Sequence, residues 1–158
     1  MENMIDETSN RVLLEYIRDS RQSFREVART LGISSGTVAS RVKDLEEAGV
    51  VKRYSVLMDF EKLGYELTIL TEVIVSEGMM MEVGERIAAI SDSLAVYNIT
   101  GDSDIMVIAK FKTRQDLSDY TKKIHKMTNV LRTKTHVVLN TIREDFNQLP
   151  QSILNIVK

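Results

Sequence analysis

The chain has 158 residues, enough for one domain or two small ones. Hydrophobic residues make up 43% and charged residues 28%, which is typical of a globular protein and excludes a disordered one. The absence of cysteine excludes disulfides and thiolate metal sites and fits a reducing cytoplasm. No apolar run approaches the roughly 20 residues of a membrane-spanning helix. The formal net charge of −2 does not indicate nucleic-acid binding, so that function would need a local basic patch.

Two short helices are predicted at the start of the chain. Asp6 is suited to N-cap the first helix. Its predicted apolar face comprises Leu13, Tyr16 and Ile17, flanked by Val12 or Leu14. Ser23 and Glu26 have the S-x-x-E spacing of a capping box at the start of the second helix, and Gly32 supplies its stop. The predicted apolar stripe of the second helix comprises Phe24, Val27, Ala28 and Leu31.

A third helix follows after a short turn. Ser34 is its predicted N-cap and Gly49 its stop. Its predicted buried stripe comprises Val38, Val42 and Leu45. Because a Gly-Ile-Ser link separates two capped helices, the helices must cross, which predicts a helix-turn-helix.

The opposite face of the third helix carries small polar and basic side chains, which allow a helix to approach bases in the major groove. Between Arg21 and Lys43 there are five basic residues and one acid, so positive charge is concentrated here. The residues predicted to contact DNA are Arg25, Ser34, Ser35, Gly36, Thr37, Ser40, Arg41, Lys43, Lys52 and Arg53. A helical hairpin with a solvated polar face is the alternative interpretation.

Residues 50–58, with the sequence VVKRYSVLM, are β-prone and predict a strand that could bend into a hairpin wing. Lys52 and Arg53 would then contact phosphates, or would simply be solvated strand residues; the pattern supports both equally. Residues 59–64 predict a hinge. Because they contain no proline or serine run, we expect the hinge to be semi-rigid.

From Tyr65 onward, β-branched strands alternate with helices. Strands are predicted over residues 67–75, 96–100, 105–112 and 130–141, and helices over residues 80–90 and 117–127. The order βαββαβ is that of a ferredoxin-like domain. The predicted fold class is therefore α+β, a winged helix-turn-helix followed by a ferredoxin-like domain. The predicted segments are 1–58 for the DNA-binding domain, 59–64 for the hinge, 65–142 for the ferredoxin-like domain and 143–158 for a tail that packs on a neighbour or frays.

The predicted sheet is apolar on both faces. In its first strand Ile69 and Val73 share one face, and Leu70 and Ile74 share the other. Two helices cover only one face, and an apolar second face of this size would not stay in water. The same face of a second copy is the expected cover, which predicts a homodimer with isologous sheet-on-sheet packing.

The string GIS…TV..RV..LEEAGVVKRY, followed by DFEKLG, the βαββαβ order and the turn TGDSD, resembles the Lrp/AsnC (feast/famine) family of transcription regulators. The likeness in layout covers roughly residues 5 to 142. It implies an N-terminal domain that binds double-stranded DNA and a C-terminal domain for oligomerisation and effector sensing. Two helix-turn-helix units related by the two-fold axis of a dimer would bind a palindromic site. The resemblance also implies dimers that assemble into octamers or other multiples, and small effectors, commonly amino acids.

The resemblance places the effector cleft where dimers meet. On this sequence the expected effector-binding residues are Gly101, Asp102, Ser103, Asp104, Thr133 and Thr135. Asp102 or Asp104 can bind the ammonium of an amino acid, while N–H groups of the turn bind its carboxylate. Asp and Gly are also ordinary turn formers, so a purely structural turn is the alternative.

Other chemistry has no support in the sequence. His125 and His136 are the only histidines, and neither has the close second ligand of a metal site. No phosphate-binding glycine loop and no catalytic constellation is present, so we expect no cofactor, no metal and no enzymatic activity. Two alternatives stay open. One is an enzyme like the haem-pathway decarboxylases that share this layout, and the other is a sensing or assembly module with a vestigial helix-turn-helix.

Overall fold

The computed structural model describes residues 5–146, which fall into two compact units. One unit contains residues 5–57 and the other is Met58–Arg143. The first is a helix-turn-helix unit and the second a four-stranded antiparallel sheet with helices, so the predicted fold class is confirmed. Most of the predicted tail lies outside the described residues.

Three helices form the N-terminal unit: α1 (Glu7–Arg18), α2 (Phe24–Leu31) and α3 (Ser35–Glu47). All three predicted N-caps are confirmed. The Asp6 carboxylate accepts from the Ser9 N–H. Ser23 and Glu26 form a reciprocal capping box, and Ser34 accepts from a backbone N–H in the first turn of α3. Gly32 ends α2 with φ +69°, a left-handed conformation that glycine adopts at little cost.

The core of this unit joins the three helices through Val12, Val27 and Val38, all fully buried. The predicted stripe of α3 is confirmed, since Val38, Val42 and Leu45 are buried. The predicted face of α1 is partly wrong. Val12 and Leu14 are buried, whereas Ile17 is exposed, because the helix turns the side containing Val12 and Tyr16 toward α2 and α3.

Phe24 is also exposed, contrary to the prediction that it belongs to the α2 stripe. It occupies the first position of α2, and its ring lines a surface cleft instead of the core. A side chain at the first position of a helix can point away from the core even when its spacing fits the apolar stripe. Helical spacing alone therefore overestimates burial at such positions.

The strand predicted over residues 50–58 is wrong. In the described part of the chain this run pairs with no strand, and Val56 and Leu57 are 78% and 75% exposed. β-propensity reflects packing against neighbouring strands, and a single run without a partner cannot form a ladder. The N–H groups of Val50 and Val51 instead donate to the Leu45 carbonyl, which closes the end of α3.

A compact turn opens the C-terminal unit. The Asp59 carboxylate accepts from the Lys62 N–H, and the Phe60 ring packs edge-to-face on Tyr65 at 5.8 Å between ring centroids. Two lysine ammonium groups lie over these rings. The Lys110 ammonium is 5.3 Å from the centre of the Phe60 ring, and the Lys112 ammonium is 4.9 Å from the centre of the Tyr65 ring. These cation–π contacts hold the turn to the sheet.

The rest of the C-terminal unit has the predicted order βαββαβ. Its elements are β1 (Leu67–Val75), α4 (Met80–Ala88), β2 (Ser93–Asn98), β3 (Ile105–Phe111), α5 (Arg114–His125) and β4 (Val130–Val137). All pairings are antiparallel and the strand order is β2-β3-β1-β4. β2 begins earlier than predicted, and β4 ends earlier.

Both faces of this sheet carry apolar side chains, as predicted, and the two helices cover only one of them. The face toward α4 and α5 buries Ile69 and Val73 of β1 with residues of β3 and both helices. On the opposite face, called here the open face, Leu70 and Ile74 are only partly buried. The open face therefore presents apolar side chains that no described element covers.

Candidate nucleic-acid interface and effector turn

The outward face of α3 begins with small side chains. Ser34 Oγ accepts from the Thr37 N–H at 3.0 Å and lies 2.8 Å from Thr37 Oγ1. Ser35, Gly36 and Ser40 are exposed. The first half of α3 thus offers a helix N-terminus with positive dipole and little bulk, which suits close approach to the DNA backbone and base edges.

The N-terminal unit also carries exposed cations, on α3 and in other segments. Lys43 projects from α3, and its ammonium lies 3.6 Å from the Glu47 carboxylate, a weak surface contact. Arg25, Lys52 and Arg53 are exposed as well. Long, exposed cations of this kind can move to neutralise phosphates.

Arg41 is placed differently from the other predicted DNA contacts. Its Nη2 lies 2.8 Å from Asp6 Oδ2, and its Nη1 lies 3.7 Å from Asp44 Oδ2. The Asp6 carboxyl has a pKa below its usual value because it accepts from the Ser9 N–H and, to a smaller extent, faces Arg41. Arg41 therefore links α3 to the N-cap of α1 and would have to leave two carboxylates to reach a phosphate.

A cleft of about 460 Å³ opens beside α3, a feature that the sequence did not reveal. Its lining includes Tyr16, Phe24 and Tyr54. The Tyr54 hydroxyl donates to Glu46 Oε1 at 2.9 Å, and burial together with this carboxylate raises the pKa of Tyr54 to about 12. Tyr16 and Tyr54 pack edge-to-face, with 6.2 Å between their ring centroids, and both rings line the cleft.

The predicted effector turn lies between β2 and β3, and its Asp104 is bound to β1. Asp104 Oδ2 accepts from the Val75 N–H at 2.8 Å, and the Asp104 N–H donates to the Val73 carbonyl. Gly101 has φ +123°, which permits the tight turn. Asp102 is exposed. Of the two carboxylates in the turn, Asp102 is therefore the one that points to solvent, while Asp104 holds the turn in place.

Ser103 joins the turn to a polar cluster on the open face. Ser103 Oγ donates to Glu72 Oε2 at 2.9 Å, and Glu72 Oε1 lies 2.9 Å from His136 Nε2 and 3.7 Å from the Lys134 ammonium. These contacts, with His136 first and Ser103 second, lower the pKa of the Glu72 carboxyl. Sequence reasoning missed Glu72, because only the strand register brings it beside Lys134.

The two predicted threonines, Thr133 and Thr135, are on β4. This strand pairs with one edge of β1, whereas β3 and the turn that precedes it lie along the other edge. Thr133 pairs with Val73, the residue whose carbonyl binds the Asp104 N–H. Thr135 pairs with Thr71, and their hydroxyl oxygens are 3.0 Å apart. The structure therefore brings Asp104 and Thr133 within two strand spacings, roughly 10 Å, of each other.

Within residues 5–146 no group of three His, Asp or Glu side chains could hold a metal ion. No helix in that range is long and apolar enough to cross a membrane.

The fold and these sites define a class, the helix-turn-helix regulators with a separate ligand-binding domain. Family models agree with both halves. A model described as winged helix-turn-helix DNA-binding matches residues 5–52, and one described as Lrp/AsnC ligand binding domain matches residues 68–148. The chain belongs to the Lrp/AsnC family of transcription regulators, and the predicted resemblance is confirmed.

Relatives and solved structures agree. An uncharacterized HTH-type transcriptional regulator of Pyrococcus furiosus is 38% identical over 146 residues, covering 92% of this chain and 99% of the relative. The leucine response regulatory protein of Mycobacterium tuberculosis is 26% identical, with a TM-score of 0.81 over 92% of this chain and 100% of its own. A regulator of Neisseria meningitidis, 22% identical, has the same fold, with a TM-score of 0.85 over 95% of this chain and 99% of its own. These proteins are transcription regulators, which sets the enzymatic alternative aside and confirms the expectation of a non-enzyme.

Proposed function

We propose that this regulator binds palindromic DNA as a dimer or a larger homo-oligomer, and that a free amino acid modulates its binding. The observation that carries the proposal is the outward face of α3, where a capped helix N-terminus and small side chains are flanked by exposed cations. A cytoplasmic location follows from the proposed role, since the DNA that the protein regulates is there.

DNA contact is assigned to the predicted residues with unequal roles, except Arg41, which is paired with Asp6 and Asp44. Gly36, Thr37 and Ser40 approach base edges, while Arg25 and Lys43 bind phosphates. Few side chains of α3 can make bidentate base contacts, so one copy discriminates weakly. DNA shape and the pairing of two copies then supply much of the specificity.

Dimerisation is assigned to the open face. On this face Leu70 of β1 pairs with Ile108 of β3, and Ile74 lies diagonally across from Met106, which pairs with Glu72. Covering these side chains with the same face of a second copy removes apolar surface from water, at about 25 cal/mol per Å². The two-fold symmetry of such a dimer matches a palindromic site, with half-sites about one helical turn or a multiple apart.

Effector binding is assigned to the turn and the neighbouring part of β4. Asp102 is suited to bind the ammonium group, because Asp104 already accepts from the Val75 N–H. Backbone N–H groups around Gly101 are suited to bind the carboxylate, and Ser103, Thr133 and Thr135 complete the predicted set. The solved Neisseria meningitidis regulator is described as an L-Met complex, which supports an amino acid as the ligand class.

The DNA part of the proposal is tested by selecting bound fragments from a random DNA pool at stated salt. We expect a palindrome to be enriched. Salt-sensitive binding without an enriched sequence would refute sequence-specific regulation, because phosphate neutralisation alone produces such binding.

The effector part is tested by thermal shift with the twenty amino acids, on the natural chain and on Asp102→Asn. We expect one or a few amino acids to raise Tm, and the variant to lose most of that increase. Glu85→Gln, at an exposed position on α4, is the matched control and should keep the response. An Asp102→Asn variant with an unchanged response would exclude Asp102 from the site.

A further inference from the structure

The cleft beside α3 lies within the N-terminal unit, whereas the predicted effector turn lies in the C-terminal unit. Its volume of about 460 Å³ is in the range of small-molecule sites. The side chains that line it combine aromatic rings, a carboxylate and an unpaired hydroxyl, and each of these groups bears on what the cleft can bind.

Three aromatic rings line the cleft: Tyr16, Phe24 and Tyr54. Phe24 and Tyr54 are 44% and 49% exposed, so a molecule arriving from solvent can reach their rings. The face of an aromatic ring carries partial negative charge and attracts cations. Val42 of α3 adds an aliphatic surface to the same cleft.

The charge nearest these rings is the Glu46 carboxylate. Its Oε1 accepts from the Tyr54 hydroxyl, and among the described residues it forms no salt bridge. Lys43 also lines the cleft, but its ammonium lies 3.6 Å from the carboxylate of Glu47. The negative charge of Glu46 and the negative ring faces therefore favour a positively charged ligand.

The Tyr16 hydroxyl gives a second, independent indication of a ligand. It is buried and has no hydrogen-bond partner in the described part of the chain. Buried polar groups are normally paired, so an unpaired one calls for a partner that the protein alone does not supply. Burial also raises the pKa of Tyr16, so the hydroxyl stays neutral and its oxygen can accept from an N–H donor.

We propose that the cleft binds a small primary ammonium ion with an apolar stem. The ammonium has three N–H donors, so it can pair with the Glu46 carboxylate, donate to the Tyr16 hydroxyl and lie against the aromatic rings. The stem packs on Val42 and Phe24. An anion would be repelled by Glu46, and an uncharged apolar molecule would leave both polar groups unpaired. This site goes beyond the proposed function and requires neither DNA nor the effector turn.

Fluorine NMR of the full chain labelled with fluorotyrosine tests the proposal. The chain has five tyrosines, so five signals are expected, and replacing each tyrosine in turn by phenylalanine assigns them. The probe is n-butylammonium chloride at constant ionic strength, with n-butanol as an uncharged probe of matching length. We expect n-butylammonium to shift the signals of Tyr16 and Tyr54 to saturation. The signals of Tyr65, Tyr97 and Tyr120, all in the C-terminal unit, should stay in place.

Two variants separate the Glu46 charge from general electrostatics. Glu46→Gln keeps an acceptor for Tyr54 but removes the charge, and it should weaken n-butylammonium binding about two- to fivefold, as expected for an exposed ion pair. Asp44→Asn, an exposed acid on α3 outside the cleft lining, is the matched control and should keep the affinity. Circular dichroism checks that both variants are folded.

Three results would each overturn the inference. The first is that n-butylammonium moves neither the Tyr16 nor the Tyr54 signal. The second is that n-butanol binds as tightly as n-butylammonium, because the cleft would then be an apolar notch without charge selection. The third is that Glu46→Gln and Asp44→Asn weaken binding equally, because the net charge of the unit, and not the Glu46 carboxylate, would then attract the cation.

Discussion

The ion pair between Arg41 and Asp6 gives a sharp test of how the helix-turn-helix is held together. Asp6→Ser keeps an N-capping oxygen but removes the charge, and Arg41→Gln removes the cation. The two charged groups are 2.8 Å apart and half-exposed, with side-chain exposures of 49% for Asp6 and 35% for Arg41. Partly exposed pairs contribute about 0.2–1 kcal/mol, so we expect a coupling free energy of about 0.5 kcal/mol.

The assay is a double-mutant cycle by urea denaturation, on the natural chain, both single variants and the double variant. The coupling should shrink at high salt, because screening weakens exposed pairs. The lowered pKa of Asp6 also fixes how stability depends on pH. The stabilisation by the Asp6 carboxylate is present above the ordinary carboxyl pKa and is lost as pH falls through the lowered pKa.

Lys43→Gln is the matched control. It should change stability by less than about 0.5 kcal/mol but reduce the slope of log K against log salt for DNA binding by about 0.9, the value for one phosphate contact. The reasoning is refuted if the Asp6–Arg41 coupling is absent and Arg41→Gln, not Lys43→Gln, lowers the salt slope. Arg41 would then be a phosphate ligand instead of a link between α1 and α3.

Two further predictions concern a helix terminus and the cluster on the open face. Gly32→Ala should lower the free energy of unfolding by about 1 kcal/mol, because Gly32 has a φ of +69° although an added Cβ would meet no atom within 4 Å. Gly36→Ala, inside α3, is the control and should not destabilise the protein. Equal losses of stability for the two variants in urea denaturation would contradict the left-handed cap. Glu72 has a lowered pKa, so it stabilises the fold above its ordinary pKa of about 4.5 and this contribution disappears as pH falls through the lowered value. Glu72→Gln should therefore show a smaller loss of Tm on acidification below about 4.5 than the natural chain, and an unchanged pH profile would exclude this role.

Local signals in the sequence were sufficient for the helix termini. Asp6, Ser23 and Ser34 cap their helices as predicted, because capping depends on residues within one turn. The order βαββαβ was also predictable, because strand and helix periodicities differ.

Features that depend on tertiary pairing could not be read in this way. Arg41 meets Asp6 across the packing of α1 and α3, and Glu72 meets His136 only through the register of β1 and β4. The error over residues 50–58 has a related cause. A run of β-prone residues indicates the ability to pair, but the pairing itself requires a second strand.

The exposed run after α3 has a practical consequence for dissecting the protein. Lys52 and Arg53 are trypsin sites in a stretch without regular hydrogen bonding, where a protease can bind an extended backbone. In the turn that follows, Lys62 is engaged with Asp59 through both its N–H and its ammonium. Brief digestion should cut first in the run and release a fragment starting near Tyr54 that keeps the aromatic turn and all four strands. Such a fragment would allow ligand binding and self-association to be measured in the absence of the N-terminal helix-turn-helix unit.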